Sequence, residues 1–503
     1  MVHCFKKNGY YLVLDVNSGT LHQVDEVAYY LIDHYKEEFG SEEEKALFEA
    51  ELVEEALEHF AGRTDLAGGI DAGEAGKVSE DASVGKGTAN GEQGVGISRE
   101  DLEETIADIH TLIDEGQLFS KDIFENMRLD FKKRQSVLKA LCLHVAHDCN
   151  LACTYCFAGE GEYHGPRGLM SYETGKRALD FLLENSGKRH NLEVDFFGGE
   201  PLMNWEVVKQ LVAYGRSKEE EYNKKFRFTV TTNGVLLNDE IIDFCNKEMG
   251  NVVLSLDGRR QVNDRMRKSR NGKGSYDLIV PKFQDFVKKR GDGEYYMRGT
   301  YTHYNTDFLS DLLHMADLGF TELSVEPVVA PPEADYALKE EDLPVILEQY
   351  DELAKEMIRR EREGRGFTFY HYMIDLEGGP CIVKRVSGCG VGTEYMAVTP
   401  EGDLYPCHQF VGEEKYKLGN VWDGVTRPEV REEFQLCNVY AHEECKDCFA
   451  KMYCSGGCAA NASHTTGSVN GVYKMGCDIH KCRIENALML QVALREIEIE
   501  RGL

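Results

Sequence analysis

The stretch from Cys149 to Cys156 reads CNLACTYC and places three thiols at positions i, i+4 and i+7. A short loop with that spacing can aim all three sulfur atoms at one point. Three thiolates are one fewer than the four that usually hold an iron–sulfur cluster, so one iron would stay open to a small molecule. Zinc is the alternative, but a zinc site usually combines two pairs of ligands, and this loop is one ligand short.

This CxxxCxxC pattern, with the aromatic Tyr155 just before its last cysteine, resembles the radical S-adenosylmethionine (SAM) enzymes. The resemblance implies a 4Fe–4S cluster on Cys149, Cys153 and Cys156 whose open iron binds the amino and carboxylate groups of SAM. It also implies the family's reaction, in which the reduced cluster cleaves SAM to a 5′-deoxyadenosyl radical. That radical removes a hydrogen atom from the substrate.

Two flanking segments fit this resemblance. A strand-like run at residues 141–145 leads directly into the cysteine loop, and a second such run ends in Gly198, Gly199 and Glu200. Gly-Gly-Glu is the family's signature for the SAM amino group. Alone it would be an ordinary turn, but at about 40 residues from CxxxCxxC it favours the functional interpretation.

The composition limits the classes of function. The chain has 503 residues, enough for two or three domains, and its apolar content of 42% is ordinary for a soluble protein. It contains no run of about 18 apolar residues and its N-terminus lacks the apolar core of a signal peptide, so we expect a cytoplasmic protein without a membrane partner. A net charge of −31 argues against nucleic-acid binding, which needs a basic surface. Sixteen cysteines in such a chain indicate metal binding rather than disulfides.

Residues 1–125 are predicted to form a separate α+β domain. Strands at 10–16 and 21–24 would form a hairpin, followed by helices at 26–35, 41–60 and 98–119. Between the last two helices, residues 61–97 are rich in glycine and are predicted to be a flexible insertion. The hairpin with three helices resembles the recognition element of peptide-modifying enzymes, in which a leader peptide adds a strand to the hairpin edge. A generic small domain is the alternative.

Charge is concentrated in this N-terminal segment. Residues 1–125 carry 9 Lys and Arg against 29 Asp and Glu, a net of −20. Such a surface would attract a basic peptide. A purely solubilising surface is the alternative, and charge alone favours it.

Residues 126–330 alternate strand and helix patterns. The predicted strands are 141–145, 192–197, 226–231, 252–256, 295–302 and 323–327, and the predicted helices are 171–183, 205–218, 239–246, 276–289 and 306–318. Six β/α repeats predict an α/β fold with a parallel sheet, here a partial (β/α)6 radical SAM barrel. Functional residues should lie at the carboxyl ends of its strands.

Tyr155 and three further residues are predicted at this end of the barrel as SAM contacts. Ser255 matches the family's polar residue after the fourth strand, and Asp257 follows in the same turn. Arg298 on the fifth strand would pair with the SAM carboxylate. Ordinary roles in a turn or at the edge of the core remain open for Ser255 and Arg298.

Residues 331–380 are predicted to be a linker with one helix at 340–363, and residues 381–503 a Cys-rich domain. The cysteine order is that of the SPASM domain, the auxiliary-cluster module of radical SAM peptide maturases; two zinc sites are the alternative. The resemblance assigns Cys445, Cys448, Cys454 and Cys477 to a distal cluster. It assigns Cys389, Cys407 and Cys458 to a proximal cluster, which brings the expected total to three 4Fe–4S clusters with SAM as the fourth cofactor.

The fourth proximal ligand is not fixed by the motif. Cys381 is the candidate, unless the position stays open for a substrate thiolate. Cys437 has no motif role, and Cys482 is a local alternative to Cys477. His408 follows Cys407 where the sulfatase-maturing branch has an Asp base, and this departure disfavours formylglycine chemistry.

The whole pattern resembles the maturases of Cys-rich peptides known as the six-cysteines-in-forty-five (SCIFF) group. The resemblance implies an enzyme that installs intramolecular Cys thioether crosslinks in a ribosomally made precursor peptide with a leader. It also implies an electron donor such as flavodoxin or ferredoxin. Peptide epimerisation and carbon–carbon crosslinking are the enzymatic alternatives, and an iron–sulfur electron carrier or scaffold is the non-enzymatic one.

Overall fold

A computed structural model describes residues 1–63, 97–126, 136–376 and 382–502, with backbone alone at 125–126. Residues 64–96, which hold most of the predicted insertion, lie outside the described residues, as does Cys381. Within the described ranges, no helix combines the length and the apolar character needed to span a membrane.

The N-terminal part is a three-stranded antiparallel sheet covered by helices. Its elements are β1 (Val2–Lys7), β2 (Tyr10–Asp15), β3 (Leu21–Val24), α1 (Glu26–His34), α2 (Glu42–His59), α3 (Arg99–Asp114) and α4 (Ile123–Asn126). The sequence predicted only the β2–β3 hairpin. It missed β1, which pairs along its whole length with β2, from Val2 opposite Asp15 to Lys7 opposite Tyr10. The run VHCFKK shows no clear alternation, so its strand depends on that pairing.

The barrel follows. Its elements are β4 (Ala140–His147), β5 (Leu151–Cys153), β6 (Gly168–Leu169), α5 (Tyr172–Asn185), β7 (Asn191–Gly198), α6 (Trp205–Tyr222), β8 (Lys225–Thr232), α7 (Asp239–Glu248), β9 (Asn251–Ser255), α8 (Arg260–Met266), β10 (Arg267–Ser269), α9 (Tyr276–Arg290), β11 (Tyr295–Tyr301), α10 (Leu309–Asp317) and β12 (Glu322–Pro327). All six predicted strands and all five predicted helices are present, with ends shifted by a few residues.

The C-terminal part contains α11 (Leu343–Arg362), β13 (Thr368–Phe369), α12 (Ile382–Ser387), β14 (Tyr395–Val398), β15 (Asp403–Tyr405), β16 (Gly419–Asn420), β17 (Gly424–Val425), α13 (Pro428–Leu436), α14 (Lys451–Cys454), α15 (Ala459–Thr466) and α16 (Lys474–Arg501). The segment predicted as a linker thus also supplies β13, and its helix α11 packs along α16.

One 12-stranded sheet runs through the barrel and into the Cys-rich part, in the order β13-β12-β11-β9-β8-β7-β4-β14-β15-β16-β17, with β6 paired to β4. Neighbours from β13 through β14 are parallel. Along each strand of a parallel barrel, successive side chains point alternately to the outer face, which helices cover, and to the inner face. In β11, Met297 and Tyr301 pack into the helix-side core, whereas Arg298 lies on the inner face.

The N-terminal sheet lies between two cores. Leu12 and Leu14 belong to the main core, whereas Val13 belongs to a second core formed with α1, α2 and α3. Polar contacts reinforce this docking: Lys7 Nζ lies 2.6 Å from Asp351 Oδ1 in α11. Removing residues 1–125 would therefore expose an apolar sheet face, so the recognition role predicted for this segment is better tested by point substitutions.

We expect Leu14→Ala to lower the free energy of unfolding by about 2–5 kcal/mol, because Leu14 is fully buried between the sheet and the main core. Leu47→Ala, on an exposed face of α2, should change it by no more than about 0.5 kcal/mol. Thermal unfolding midpoints of the two variants would check this. Equal midpoints would show that the sheet does not dock as described.

Candidate functional site

The cysteine loop is anchored by the segment that follows β9. Strand β5 pairs antiparallel with β10, with Arg267 opposite Cys153. Arg270 donates from Nε to the Cys149 carbonyl oxygen at 2.7 Å and from Nη2 to Asp148 at 2.8 Å. These contacts hold the loop at the carboxyl end of β4, where the sequence predicted it.

The three thiols lie close enough to affect one another. Burial raises the pKa of the Cys149 thiol to about 12, with smaller contributions from Glu200, Cys153 and Cys156. Burial likewise raises the pKa of Cys153 to about 11. Such thiols ionise only next to a compensating positive charge, which bound metal supplies.

The donors around these thiols fit an iron–sulfur cluster. Asn233 Nδ2 approaches Cys149 Sγ at 3.6 Å and donates to Asn150 Oδ1 at 2.7 Å. Asn150 Nδ2 is buried and has no hydrogen-bond partner in the described part of the chain. An unused donor beside sulfur suits a sulfur-rich ligand. Among the described residues, no three His, Cys, Asp or Glu side chains are arranged around a single metal ion. The cysteine ligands of a cubane cluster lie farther apart than the ligands of a single ion.

Gly198 and Gly199 let β7 approach the loop closely. Gly198 has φ +120°, and a Cβ there would lie 2.3 Å from the Ala146 carbonyl oxygen. A Cβ on Gly199 would lie 2.1 Å from the Asp148 carbonyl oxygen. Both neighbours are backbone atoms, so no other residue fits these two positions without moving the chain.

Glu200 joins the loops after β7 and β8. Its carboxylate accepts hydrogen bonds from Leu202 N at 3.0 Å, Thr232 Oγ1 at 2.8 Å and Asn233 N at 2.8 Å. Burial raises the pKa of Glu200, and these donors oppose that rise. The acid therefore lies beside the cysteine loop, and its contact with the SAM amino group stays a prediction.

Tyr155 and Asp257 contact each other. The Tyr155 hydroxyl lies 2.7 Å from Asp257 Oδ2, and the buried Arg267 donates from Nη1 to that hydroxyl at 2.9 Å. Burial raises the pKa of Asp257 to about 6, and Arg267 lowers it. These contacts give both side chains a part in fixing the loop; direct SAM contact stays a prediction for them.

Sequence reasoning missed two residues of this region, Arg267 and Arg270. It did place the Thr-Thr-Asn-Gly run, which contains Asn233, at the carboxyl end of a barrel strand, and Asn233 lies just after β8. The two arginines lie in and just after β10, a short strand whose only signal is its pairing with the cysteine loop.

Ser255 and Arg298 form a row on the inner face. Arg298 is in register with Ser255 on β9 and with Ser324 on β12. The Arg298 residue is exposed, and its guanidinium forms no hydrogen bond or ion pair with another residue that the structure describes. Contact of either side chain with SAM stays a prediction.

The structure brings together the thiols of each predicted auxiliary set. After burial, the largest influences that raise the pKa of Cys454 to about 12 are Cys477, Cys445 and Cys448. Burial also raises the pKa of Cys407, followed by influences of Cys458 and Cys389. Ligation of iron by the two sets stays a prediction.

Cys437 and Cys482 differ in their surroundings. Burial raises the pKa of Cys437 to about 12, with Cys389 and Cys458 as the next contributors, so Cys437 lies near the proximal set. Cys482 instead lies between α16 and α11, where its Sγ is 3.7 Å from the Leu347 carbonyl oxygen. The structure thus separates Cys482 from the distal set, and it is no alternative to Cys477.

Comparison with known proteins agrees with this geometry. Residues 143–317 match the model of the radical SAM superfamily, and residues 389–449 match SPASM, an iron–sulfur cluster-binding domain. A cysteine-type anaerobic sulfatase-maturating enzyme of Clostridium perfringens is 26% identical over 64% of this chain and 88% of its own. The radical SAM cyclopropyl synthase TigE of Paramaledivibacter caminithermalis is 21% identical over 75% and 80%. A solved structure of anSMEcpe with bound AdoMet, 22% identical, superposes with a TM-score of 0.60 over 71% of this chain and 96% of that chain.

We expect Arg267→Met to reduce the iron retained per chain after anaerobic reconstitution. Without the guanidinium, the buried Tyr155–Asp257 pair loses its cation, and breaking a buried charge pair costs about 3–5 kcal/mol. Arg265→Met is the matched control, because Arg265 is exposed and only stacks on the Tyr304 ring. Iron analysis of both variants is the measurement. Equal iron content in the two variants would show that Arg267 does not support the cysteine loop.

Proposed function

The chain belongs to the radical SAM/SPASM maturases, which act on peptides or proteins, and on that premise we propose that it installs intramolecular Cys thioether crosslinks in a ribosomally made Cys-rich precursor peptide. Cys149, Cys153 and Cys156 would hold the cluster that works with SAM, and Gly198, Gly199 and Glu200 would bind the SAM amino group. When bound, this pair supplies a 5′-deoxyadenosyl radical, which removes a hydrogen atom from the acceptor residue.

The number of clusters is part of the proposal. Cys445, Cys448, Cys454 and Cys477 would hold a distal 4Fe–4S cluster, and Cys389, Cys407 and Cys458 a proximal one, for a total of three. An external donor such as flavodoxin or ferredoxin would supply the electron for SAM cleavage. Cys437 joins Cys381 as a candidate for the fourth proximal ligand, since it lies near Cys389 and Cys458.

Exposure of the proximal thiols is the observation that supports thioether chemistry. Cys389 and Cys458 are exposed, whereas Cys407 is buried. A substrate sulfur can therefore reach this side of the auxiliary domain. The reaction balances when the substrate S–H loses a proton, the acceptor C–H loses a hydrogen atom, and an S–C bond forms. The remaining electron would be taken up by an oxidised iron–sulfur cluster, which the auxiliary cysteines would hold.

The N-terminal part would bind the leader of the peptide. At one sheet edge, β1 lies against the Cys-rich part, where His3 stacks on Phe449 with ring centroids 3.6 Å apart. The opposite edge is β3, which among the described strands pairs only with β2. We propose that the leader adds a strand to β3, attracted by the net charge of −20 over residues 1–125.

Oxidation of a protein cysteine is the second candidate, because sulfatase-maturating enzymes are among the relatives. In that branch an Asp base follows the cysteine that matches Cys407. Here the position is His408, whose Nδ1 lies 3.2 Å from the Tyr395 hydroxyl. Burial lowers the pKa of His408 to about 4, so the imidazole is neutral at physiological pH.

The test incubates a synthetic Cys-rich precursor peptide with reconstituted enzyme, SAM and reductant. We expect a product that has lost two hydrogens per crosslink and carries cysteines that no longer react with an alkylating agent. An aldehyde in place of a thiol would instead indicate the sulfatase-maturating reaction. Solvent deuterium at an α-carbon without loss of thiols would indicate epimerisation.

Cys458→Ala should abolish crosslinking while 5′-deoxyadenosine still forms, because the barrel thiols are separate from the proximal set. Cys245→Ala is the control, since Cys245 packs in the helix layer outside the barrel. Mass spectrometry of the peptide and chromatography of 5′-deoxyadenosine are the measurements. A Cys458→Ala enzyme that crosslinks at the wild-type rate would rule out a role for the proximal set.

Replacing Cys149, Cys153 and Cys156 together by Ala should lower the bound iron by about one third and abolish SAM cleavage, because one of three clusters loses its ligands. Iron analysis and 5′-deoxyadenosine formation are the measurements. SAM cleavage by this triple variant would contradict the assignment of the first cluster.

A further inference from the structure

The segment 265–273 is strongly basic in an otherwise acidic chain. It holds five Lys or Arg and no Asp or Glu, whereas the whole chain carries a net charge of −31. This segment, called the basic hairpin below, includes β10. It lies directly against the cysteine loop, because β10 pairs antiparallel with β5. Positive charge is therefore concentrated beside the thiols that are predicted to hold the barrel cluster.

Backbone hydrogen bonds fix the shape of the basic hairpin. Ser269 N donates to the Lys273 carbonyl oxygen at 2.8 Å, and Gly272 N donates to the Ser269 carbonyl oxygen at 2.8 Å. Gly272 has φ +80° in this turn. From the cysteine loop, Thr154 N donates to the Met266 carbonyl oxygen at 2.8 Å. The basic hairpin and the cysteine loop are therefore joined into one hydrogen-bonded unit.

Successive residues of β10 face opposite sides of this unit. Arg267 is opposite Cys153 and buried, and it donates to the Tyr155 hydroxyl at 2.9 Å. Lys268 is opposite Ala152, the residue next to Cys153, and is exposed. Because side chains alternate along a strand, Arg267 points towards the site and Lys268 points to solvent. About 5 Å separates the Cα atoms of such a strand pair, so Lys268 lies on the outer surface of the cysteine loop.

Two lysines of the basic hairpin carry charge that the protein does not use. Lys268 and Lys273 are exposed, and neither ammonium group forms an ion pair with any residue that the structure describes. Arg270 differs, since it donates to Asp148 at 2.8 Å and to the Cys149 carbonyl oxygen at 2.7 Å. The charge of the two lysines is therefore available to a partner protein.

The acids beside this surface are already engaged. Asp264, just before the basic hairpin, accepts a hydrogen bond from Tyr276 N at 2.8 Å. Glu160 and Glu162, in the segment that follows the cysteine loop, lie 3.4 Å and 3.1 Å from the Arg167 guanidinium. These contacts leave the two lysines of the hairpin without an acid of this chain to neutralise them.

The surroundings of the distal set of cysteines have the opposite charge. Residues 443–447 carry three exposed acids, Glu443, Glu444 and Asp447, against the single Lys446. Lys446 Nζ itself lies 2.7 Å from Glu443 Oε2. An acidic protein would therefore be repelled at the distal set and attracted at the basic hairpin.

We propose that the basic hairpin is the docking surface for an acidic one-electron carrier, a small flavin or iron–sulfur protein that supplies the electron for SAM cleavage. This rests on the proposed external donor and on the cluster proposed for the cysteine loop, but not on thioether formation. The carrier loses one electron, and the group held by the three thiols of the loop gains it. Because electron transfer weakens steeply with distance, a carrier docked one strand away from the loop is well placed.

A precursor peptide fits this surface less well. The acceptor residue of a peptide must reach the side of the loop that Arg267 faces, whereas Lys268 faces the other side. An electron, unlike a reacting carbon atom, can cross the loop from its outer side. Exposed lysines also suit a transient complex, in which surface charge sets orientation and association rate more than affinity.

The experiment compares Lys268→Glu/Lys273→Glu with the wild-type holoenzyme, using purified flavodoxin as the carrier. With reduced flavodoxin as the only reductant and at low ionic strength, we expect 5′-deoxyadenosine formation at limiting carrier to fall about tenfold, within the range of electrostatic steering. With dithionite the rate should stay at the wild-type level, because a small reductant needs no docking surface. The iron content should also be unchanged.

Lys188→Glu/Lys225→Glu is the matched control, because it changes the net charge by the same amount. Both lysines are exposed and unpaired among the residues described, and they lie at the opposite end of the barrel, before β7 and at the start of β8. The control should keep the wild-type rate with flavodoxin. Calorimetry with oxidised flavodoxin measures binding without turnover, and only the hairpin variant should lose affinity, also by about tenfold.

Salt dependence and a milder variant complete the test. The difference between wild type and the hairpin variant should shrink as salt is added, because the Debye length shortens from about 10 Å at 0.1 M to about 3 Å at 1 M. Lys268→Gln/Lys273→Gln makes half the charge change, so the flavodoxin-driven rate should fall about threefold, with no change under dithionite. This variant decides the question if the Glu variant fails to retain iron.

Four outcomes would overturn the proposal. A wild-type rate of the hairpin variants with flavodoxin would exclude the basic hairpin as the docking surface. An equal loss in the control would assign the effect to net charge. An equal loss under dithionite, with normal iron content, would place the two lysines in SAM binding. Weaker binding of a synthetic Cys-rich precursor peptide, with unchanged affinity for flavodoxin, would assign the surface to the peptide.

The proposed function fails in a different way. A wild-type enzyme that accepts no electron from flavodoxin or ferredoxin, but cleaves SAM with dithionite, would overturn the proposed donor and its docking surface together. Absence of a thioether product would overturn the proposed crosslinking alone, because 5′-deoxyadenosine formation and carrier binding do not depend on that product.

Discussion

The buried carboxylate of Glu200 is the contact on which the rest of the site depends. It takes hydrogen bonds from the loop after β7 and from the loop after β8, so two neighbouring strand ends are fixed to each other. A buried carboxylate without such donors would be strongly unfavourable, which makes the arrangement of both loops obligatory. Because Asn233 also binds Asn150, the position of the cysteine loop follows from the same carboxylate.

The parallel sheet carries this order from the barrel into the auxiliary domain. Strand β14 pairs in register with β4, with Val398 opposite Leu143. Strand β4 leads to Cys149, and strand β14 leads through its hairpin partner β15 to Cys407. Both cysteines therefore follow strands of one sheet. Groups supported by hydrogen-bonded strands keep their separation better than groups on independent loops. The strands that precede Cys149 and Cys407 are thus joined through backbone hydrogen bonds of the same sheet.

Two buried arginines support opposite sides of the barrel interior in a similar way. Arg267 donates to the Tyr155 hydroxyl near Asp257, and Arg483 donates to the Tyr350 hydroxyl near Glu326. In each case a buried guanidinium lies beside an acid and donates a hydrogen bond to a tyrosine hydroxyl, while its Nε has no hydrogen-bond partner among the described residues. The nearby acid and the tyrosine offset part of the cost of burying the guanidinium.

The sequence by itself determined the class of fold and the inventory of thiols. Strand and helix periodicity located all six barrel strands, because a parallel strand covered by helices must be apolar on its outer face whatever its neighbours are. The spacing of CxxxCxxC and of the later cysteines was likewise local information. Gly198 and Gly199 were identified from the Gly-Gly-Glu signature, and the structure added the reason for glycine there, a close approach of two backbone segments.

Tertiary structure alone decided which distant residues act on these local features. Strand β1 exists because β2 supplies its hydrogen bonds, and Arg267 supports the cysteine loop because β10 pairs with β5. His371 meets Glu326 across 45 positions of sequence, through a turn whose own residues carry no periodic signal. The physical reason is common to all three: their energies come from pairing between segments, and pairing partners are set by packing rather than by the pattern within either segment.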